Sequence, residues 1–283
     1  MPLLSTFDDR DDVQLLAGDA RHIDVWLAFY QDFVEESLLS SMRALLSDAE
    51  RCQEKRFYFA DDRQRYLVTR AMVRSVLSRY AGGAPADWVF SANAYGRPAI
   101  ANASAAARGL SFNISHARGL IALGVTRRRA LGVDVENVLA RPVSIGIAER
   151  FFSRSEVAEL ARVPADLRQD RFFEYWTFKE SYIKARGMGL SIPLDRFSFE
   201  FPQERSVRIS IDAELNDDEK RWDFWQLRPT PEHLLALCAA RLDAESTVLT
   251  VRKMTSLAAV EVLDLPLLKA PALSNWGGEC PKT

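Results

Sequence analysis

Between Asp48 and Tyr80, apolar positions recur at helical spacing. At about 100° per residue Tyr66, Thr69, Met72, Val73, Val76, Leu77 and Tyr80 fall on one arc, with Arg63, Arg70 and Arg74 opposite. Gly82 and Gly83 supply the stop, with Pro85 beyond. The spacing predicts one helix over 48–80. From Leu110 the period shortens. Leu110 to Ile114, Leu120 to Thr126 and Leu131 to Val138 read as strands joined by turn residues, an antiparallel hairpin or meander. Helical spacing returns after Pro142, through Ile147 and Phe151, and Ser153 is a cap candidate for a helix holding Glu156, Val157 and Leu160. The strongest helix runs from about Asp170 to Arg186, closed by Gly187 and Gly189. Strands are expected again at Phe197 to Phe201, Val207 to Ile211, Trp222 to Leu227 and Leu234 to Ala240. Helix followed by strands thus occurs once before about Asn137 and again after it, the plan of two similar α/β lobes. The expected division is 1–137, 138–263 and a tail over 264–283 with little periodicity.

Composition narrows the function classes. Hydrophobic residues are 48% and charged residues 27%, ordinary for a globular chain. Lys plus Arg total 37 against 39 acidic residues, so no overall positive field draws in nucleic acid or an anionic membrane. The consecutive Arg127, Arg128 and Arg129 are the one candidate for a local basic patch, or else a solvated hairpin turn. Cys52, Cys238 and Cys280 have neither disulfide nor zinc spacing. Asp8, Asp9, Asp11 and Asp12 stand where a signal peptide needs a basic end, and no apolar run approaches a membrane span of about 20 residues, so the cytoplasm is the expected compartment.

Three segments carry candidate chemistry. In Leu131-Gly132-Val133-Asp134-Val135-Glu136, alternation puts both carboxylates on one face of a strand, either an exposed acidic face or a cation site of the hard-oxygen kind that suits magnesium. On the strong helix, Glu180 and Lys184 lie four apart on the arc of Phe173, Trp176 and Ile183, either a surface pair or charges drawn to the packed side. In Phe112-Asn113-Ile114-Ser115-His116 a strand ends in a hydroxyl and an imidazole, either a seat for phosphate or a lone histidine satisfied by its own surroundings. A Ser–His nucleophile pair is disfavoured, because neighbours on a strand point to opposite faces. Arg65 falls on the apolar arc of its helix, where a guanidinium needs a carboxylate, carbonyls or a bound anion.

In this order, Asn113-Ile114-Ser115-His116, Gly132-x-Asp134-x-Glu136 and Trp176-x-x-Lys179-Glu180-Ser181-x-x-Lys184 resemble the three signatures of the 4′-phosphopantetheinyl transferase superfamily. Arg65 to Tyr80, Tyr95-Gly96-Arg97-Pro98, Arg150-Phe151-Phe152-Ser153 and Gly187-x-Gly189-Leu190 resemble its large single-chain branch, which activates peptide synthetases such as the surfactin enzyme. The resemblance spans roughly Asp48 to Ala240. It implies an α+β fold of two lobes related by pseudo-twofold symmetry, with coenzyme A as substrate in the cleft between them. It also implies Mg2+ held by Asp134, Glu136 and Glu180, with phosphate contacts from Arg65, Arg97, Ser115, His116, Lys179 and Lys184. Glu180, Lys184 and His116 are the implied catalytic groups. Glu180 is expected to take the acceptor's proton directly or through a metal-bound water, and Glu156 is either a weaker candidate for that task or simply a first-turn acid of its helix. The implied partner is an acyl or peptidyl carrier domain, received near Arg141, Ile145, Ile147 and Arg150, and the implied state is a monomer. Glu50 and Gln53 depart from the pattern, which often has basic residues there. The competing readings are a non-catalytic coenzyme-binding protein and a magnesium-dependent phosphohydrolase.

Overall fold

The computed structural model describes residues 20–104, 107–143, 145–242 and 247–271. The N-terminal half holds β1 (His22–Ala28), α1 (Glu36–Leu45), α2 (Asp48–Arg56), α3 (Ala60–Ala81), the short hairpin β2 (Phe90–Ala92) and β3 (Pro98–Ile100), and the long hairpin β4 (Leu110–Ala117) and β5 (Leu120–Arg127). Then come β6 (Leu131–Asn137), α4 (Ile145–Phe151), α5 (Arg154–Arg162) and α6 (Arg168–Arg186). The chain continues through β7 (Phe197–Glu200), β8 (Ser206–Ile211), β9 (Trp222–Thr230), β10 (His233–Ala240), β11 (Val248–Met254), β12 (Val260–Leu263) and β13 (Leu267–Pro271).

Beside the two-stranded β2–β3 sheet, two large sheets organise the described strands, in the orders β12-β11-β1-β5-β4 and β6-β10-β9-β13-β8-β7. The expected α+β plan of two lobes is therefore present, but the strands cross the expected divisions. β6 does not extend the β4–β5 hairpin into a meander; it pairs antiparallel with β10 and opens the second sheet. β11 returns to the first sheet, parallel to β1. β13, expected in the tail, lies between β9 and β8, while residues 272–283 fall outside the described region. Each lobe has its own core: Trp26, Met72 and Leu77 in the first, Phe178, Tyr182 and Phe224 in the second. A third cluster, with Val25 and Ala122 from one sheet and Val133 and Leu235 from the other, welds the sheets together. That is why β5 is buried on both faces.

The helix expected over 48–80 is two helices. A capping box of Ser47 and Glu50 starts α2, and Phe57 turns extended at its end, packing its ring 5.2 Å from Tyr66. α3 ends at Gly82, where φ of +68° suits glycine. Glu50, the departure noted above, accepts from Arg70 and Arg74. Arg74 also donates to the carbonyls of Pro85, Ala86 and Trp88, so the polar arc of α3 is packed against its own lobe.

Candidate active site at the seam between the lobes

β4 of the first sheet lies beside β6 of the second. The positions two apart on β4 that face this seam are Asn113 and Ser115. Asn113 Oδ1 accepts from the Val133 amide at 2.8 Å, and Ser115 Oγ accepts from the Val135 amide at 3.3 Å. The edges of the two sheets are thus bridged by side chains rather than by a backbone ladder, which fixes the face carrying Asp134.

α6 comes down on that strand at Gly132. A Cβ there would lie 1.9 Å from the Ser181 carbonyl oxygen and 2.4 Å from the Ala185 amide nitrogen, so only glycine admits the helix. This contact sets Glu180 and Lys184 against Asp134. Lys184 Nζ donates to Asp134 Oδ1 at 2.6 Å and to Ser115 Oγ at 2.9 Å, and Ser115 Oγ donates to the same carboxylate oxygen at 3.0 Å. Trp176 Nε1 donates to Glu136 Oε1 at 3.1 Å. The Trp176 bond is a contact that the sequence pattern does not reveal, although Trp176 sits one helical turn before Glu180.

The electrostatics are those of too many carboxylates in too little water. Burial, only partly offset by Lys184, pushes the Asp134 pKa up. Burial and then the charge of Asp134 raise both Glu136 and Glu180 to about 7. Asp134 Oδ2 is buried with no hydrogen-bond partner. An orphaned carboxylate oxygen flanked by two carboxyls that resist ionisation is a donor set short of a cation, and its all-oxygen character fits magnesium. Even so, among the described residues no three acidic, His or Cys side chains are drawn together tightly enough to define a metal site.

His116, on the opposite face of β4 from Ser115, is exposed at the rim. Partial burial, then the Arg65 guanidinium and Lys184, push its pKa down, so the ring is neutral near pH 7. Arg65, whose charge is felt there, pairs with Asp62 at 2.6 Å.

Three expected contacts lie elsewhere. Lys179 is fully buried on the far side of α6, 2.7 Å from Glu156 and donating to the carbonyls of Leu194 and Phe197. It faces away because it precedes Glu180 by one residue, about 100° round the helix. Glu156 is equally committed, accepting from the Ser153 and Phe199 amides, and is not placed to receive a proton at the site. Arg97 spends its guanidinium on the carbonyls of Lys184, Ala185 and Leu131. Ser115 lies in the site, but its hydroxyl is saturated by Asp134, Lys184 and Val135. The Arg127–Arg129 turn is also not simply solvated, since Arg129 is buried and donates to the Ala240 carbonyl.

Comparison with known proteins gives this geometry a family. Residues 130–238 match the model of the 4′-phosphopantetheinyl transferase superfamily, and residues 34–127 match that of the 4′-phosphopantetheinyl transferase N-terminal region. The 4′-phosphopantetheinyl transferase ffp of Bacillus subtilis is 38% identical over 69% of this chain and 81% of its own length. The 4′-phosphopantetheinyl transferase Sfp of Bacillus subtilis strain 168 is 36% identical over 71% and 84%. The 4′-phosphopantetheinyl transferase HetI of a Nostoc species is 37% identical over 55% and 65%. The matched halves meet where Asn113 and Ser115 bridge to β6, and with identity above a third across most of such relatives, the chain belongs to the 4′-phosphopantetheinyl transferase superfamily.

Proposed function

We propose that this protein transfers the 4′-phosphopantetheine arm of coenzyme A to a serine of an acyl or peptidyl carrier domain, releasing adenosine 3′,5′-bisphosphate. The observation that carries the reading is Asp134, whose Oδ1 meets Lys184 while its buried Oδ2 meets nothing, with Glu136 and Glu180 held at about 7 beside it. Asp134, Glu136 and Glu180 would hold Mg2+, which when bound offsets negative charge on the pyrophosphate. The carrier serine oxygen forms a bond to the pantetheine-side phosphorus while that phosphorus breaks its bond to the bridging oxygen. The electron pair leaves with the adenosine bisphosphate.

Glu180 accepts the serine proton. A positioned carboxylate is a competent general base for a serine hydroxyl. Lys184 exchanges Asp134 for the departing phosphate, and neutral His116 donates a hydrogen bond to the same group. Arg65 at the rim supplies a guanidinium for a coenzyme phosphate. No covalent intermediate on the protein is required, since Ser115 is occupied in holding Asp134 and Lys184.

The carrier is received beyond β6. Leu139 is 65% exposed there, Ile147 is 38% exposed, and Arg141 and Arg150 are exposed cations beside them. A basic and apolar mixture suits a small acidic helical domain. The side chain of Ile145 lies outside the described residues. Both halves of the site come from one chain, which supports a monomer, and no described helix is long and apolar enough to cross a membrane. A cytoplasmic location belongs to the same proposal. The decisive variants are Asp134→Ala and Glu180→Ala. Both should fold, and neither should turn over with magnesium and saturating coenzyme A. Wild-type rates in either would remove that residue from the site.

A further inference from the structure

The short β2–β3 hairpin belongs to the first lobe, where Phe90 packs on Phe112 at 5.8 Å. Its tip nevertheless reaches the end of α6 in the second. Asn93 Oδ1 fixes the turn by accepting from the Tyr95 and Arg97 amides at 2.9 Å each, and Asn93 Nδ2 donates to the Gly187 carbonyl at 2.7 Å. Arg97 Nη1 donates to the carbonyls of Lys184 and Ala185 at 2.9 Å, and Nη2 to that of Leu131 at 3.0 Å. Its stem rests on Gly187, where φ is +68° and a Cβ would come within 3.2 Å of Arg97 Cδ. One guanidinium therefore ties the start of β6 and the last turn of α6 to the first lobe. Carbonyls at a helix C-terminus carry partial negative charge, so a cation is the apt group for them.

Lys184 and Leu131 bracket the acidic site: one supplies the ammonium on Asp134, the other opens the strand that carries it. We infer that Arg97, expected from resemblance to contact the coenzyme's phosphates, is instead a positioning residue, clasping the two lobes so that Lys184 meets Asp134 and the incoming pyrophosphate in register. The planar fork sends Nη1 to α6 and Nη2 to β6 from one rigid group.

This inference rests on the transferase reading, and the test separates the two. Steady-state transfer to an apo carrier domain is measured for the wild type and Arg97→Met, with coenzyme A and with 3′-dephospho-coenzyme A. Failure of the wild type itself would count against the reading, not the clasp. For an active wild type, the clasp predicts about a tenfold fall in kcat, close to 1.4 kcal/mol of transition-state stabilisation. The KM for coenzyme A should change less than about twofold, and the preference for coenzyme A over its 3′-dephospho form should be that of the wild type. A raised KM with unchanged kcat, or a lost preference for the 3′-phosphate, would make Arg97 a phosphate ligand and overturn the inference. Should Arg97→Met not fold, Asn93→Ala is decisive in its place. It removes the second tie to Gly187, and should lower kcat with KM retained. An Asn93→Ala enzyme with wild-type kcat would equally sink the clasp.

Discussion

Gly132→Ala tests whether the helix–strand contact builds the site. The added Cβ would stand 1.9 Å from the Ser181 carbonyl oxygen and 2.4 Å from the Ala185 amide nitrogen, both backbone atoms that cannot rotate away. Ordinary contact begins at 3.4 Å, so α6 has to withdraw by about 1.5 Å, or β6 has to bend by as much. Withdrawal drags Phe178 and Tyr182, both fully buried, out of their packing against Phe199 and Trp222. Overpacking of this kind costs roughly 1–3 kcal/mol. The chemical cost is larger. Glu180 and Lys184 ride on the displaced segment, and an error of about 1 Å in reacting groups costs on the order of 100-fold in rate. The expected outcome is a folded protein, melting several degrees lower, with kcat reduced about 100-fold. Initial transfer rates at saturating coenzyme A, paired with thermal melting to establish the folded fraction, check it. A variant with the wild type's rate and melting temperature would refute the contact as the device that sets the site.

Lys179→Met should act on stability first, because it leaves Glu156 buried without its cation. The expected loss is roughly 3–5 kcal/mol by denaturant titration, and the double variant with Glu156→Gln should recover most of it. Glu136 and Glu180 also predict a pH dependence. Each shifts from an ordinary 4.5 to about 7 on folding, so the folded chain binds more protons across that window and their contribution to stability falls as pH rises through it. Magnesium competes with those protons, so it should raise the melting temperature clearly at about pH 8 and little at about pH 5.5. An equal rise at both would count against these ligands. Arg65→Ala should raise the KM for coenzyme A with kcat nearly retained, as steady-state kinetics at fixed carrier would reveal.

The acidic site was legible because its signals are local. Period-two alternation places Asp134 and Glu136 together, and period-3.6 spacing places Glu180 and Lys184 together, whereas the close approach at Gly132 shows only in the packing of α6. Which charged residue faces the cleft was less legible. Lys179 and Glu180 are neighbours, and only the packing of α6 on β6 sends one into the core and the other to the seam. Arg97 and Ser115 share the difficulty: their residue types suit phosphate, but carbonyls and carboxylates from distant segments claim them first. The strand pairing was hidden for a related reason. β11 pairs with β1 across more than 200 residues, and neither strand alone carries a sign of its partner. The break at Phe57 leaves no mark in the sequence pattern, because residues on either side keep helical spacing.

Group transfer itself is read directly by intact-protein mass spectrometry of an apo carrier domain. The carrier is incubated with this protein, coenzyme A and magnesium, beside a carrier whose acceptor serine is alanine. The account predicts a gain of one phosphopantetheine on the first and none on the second. No gain on acyl and peptidyl carriers alike, with coenzyme binding established separately, would contradict it and leave a binding protein; phosphate released from the coenzyme without a carrier would point to a phosphohydrolase.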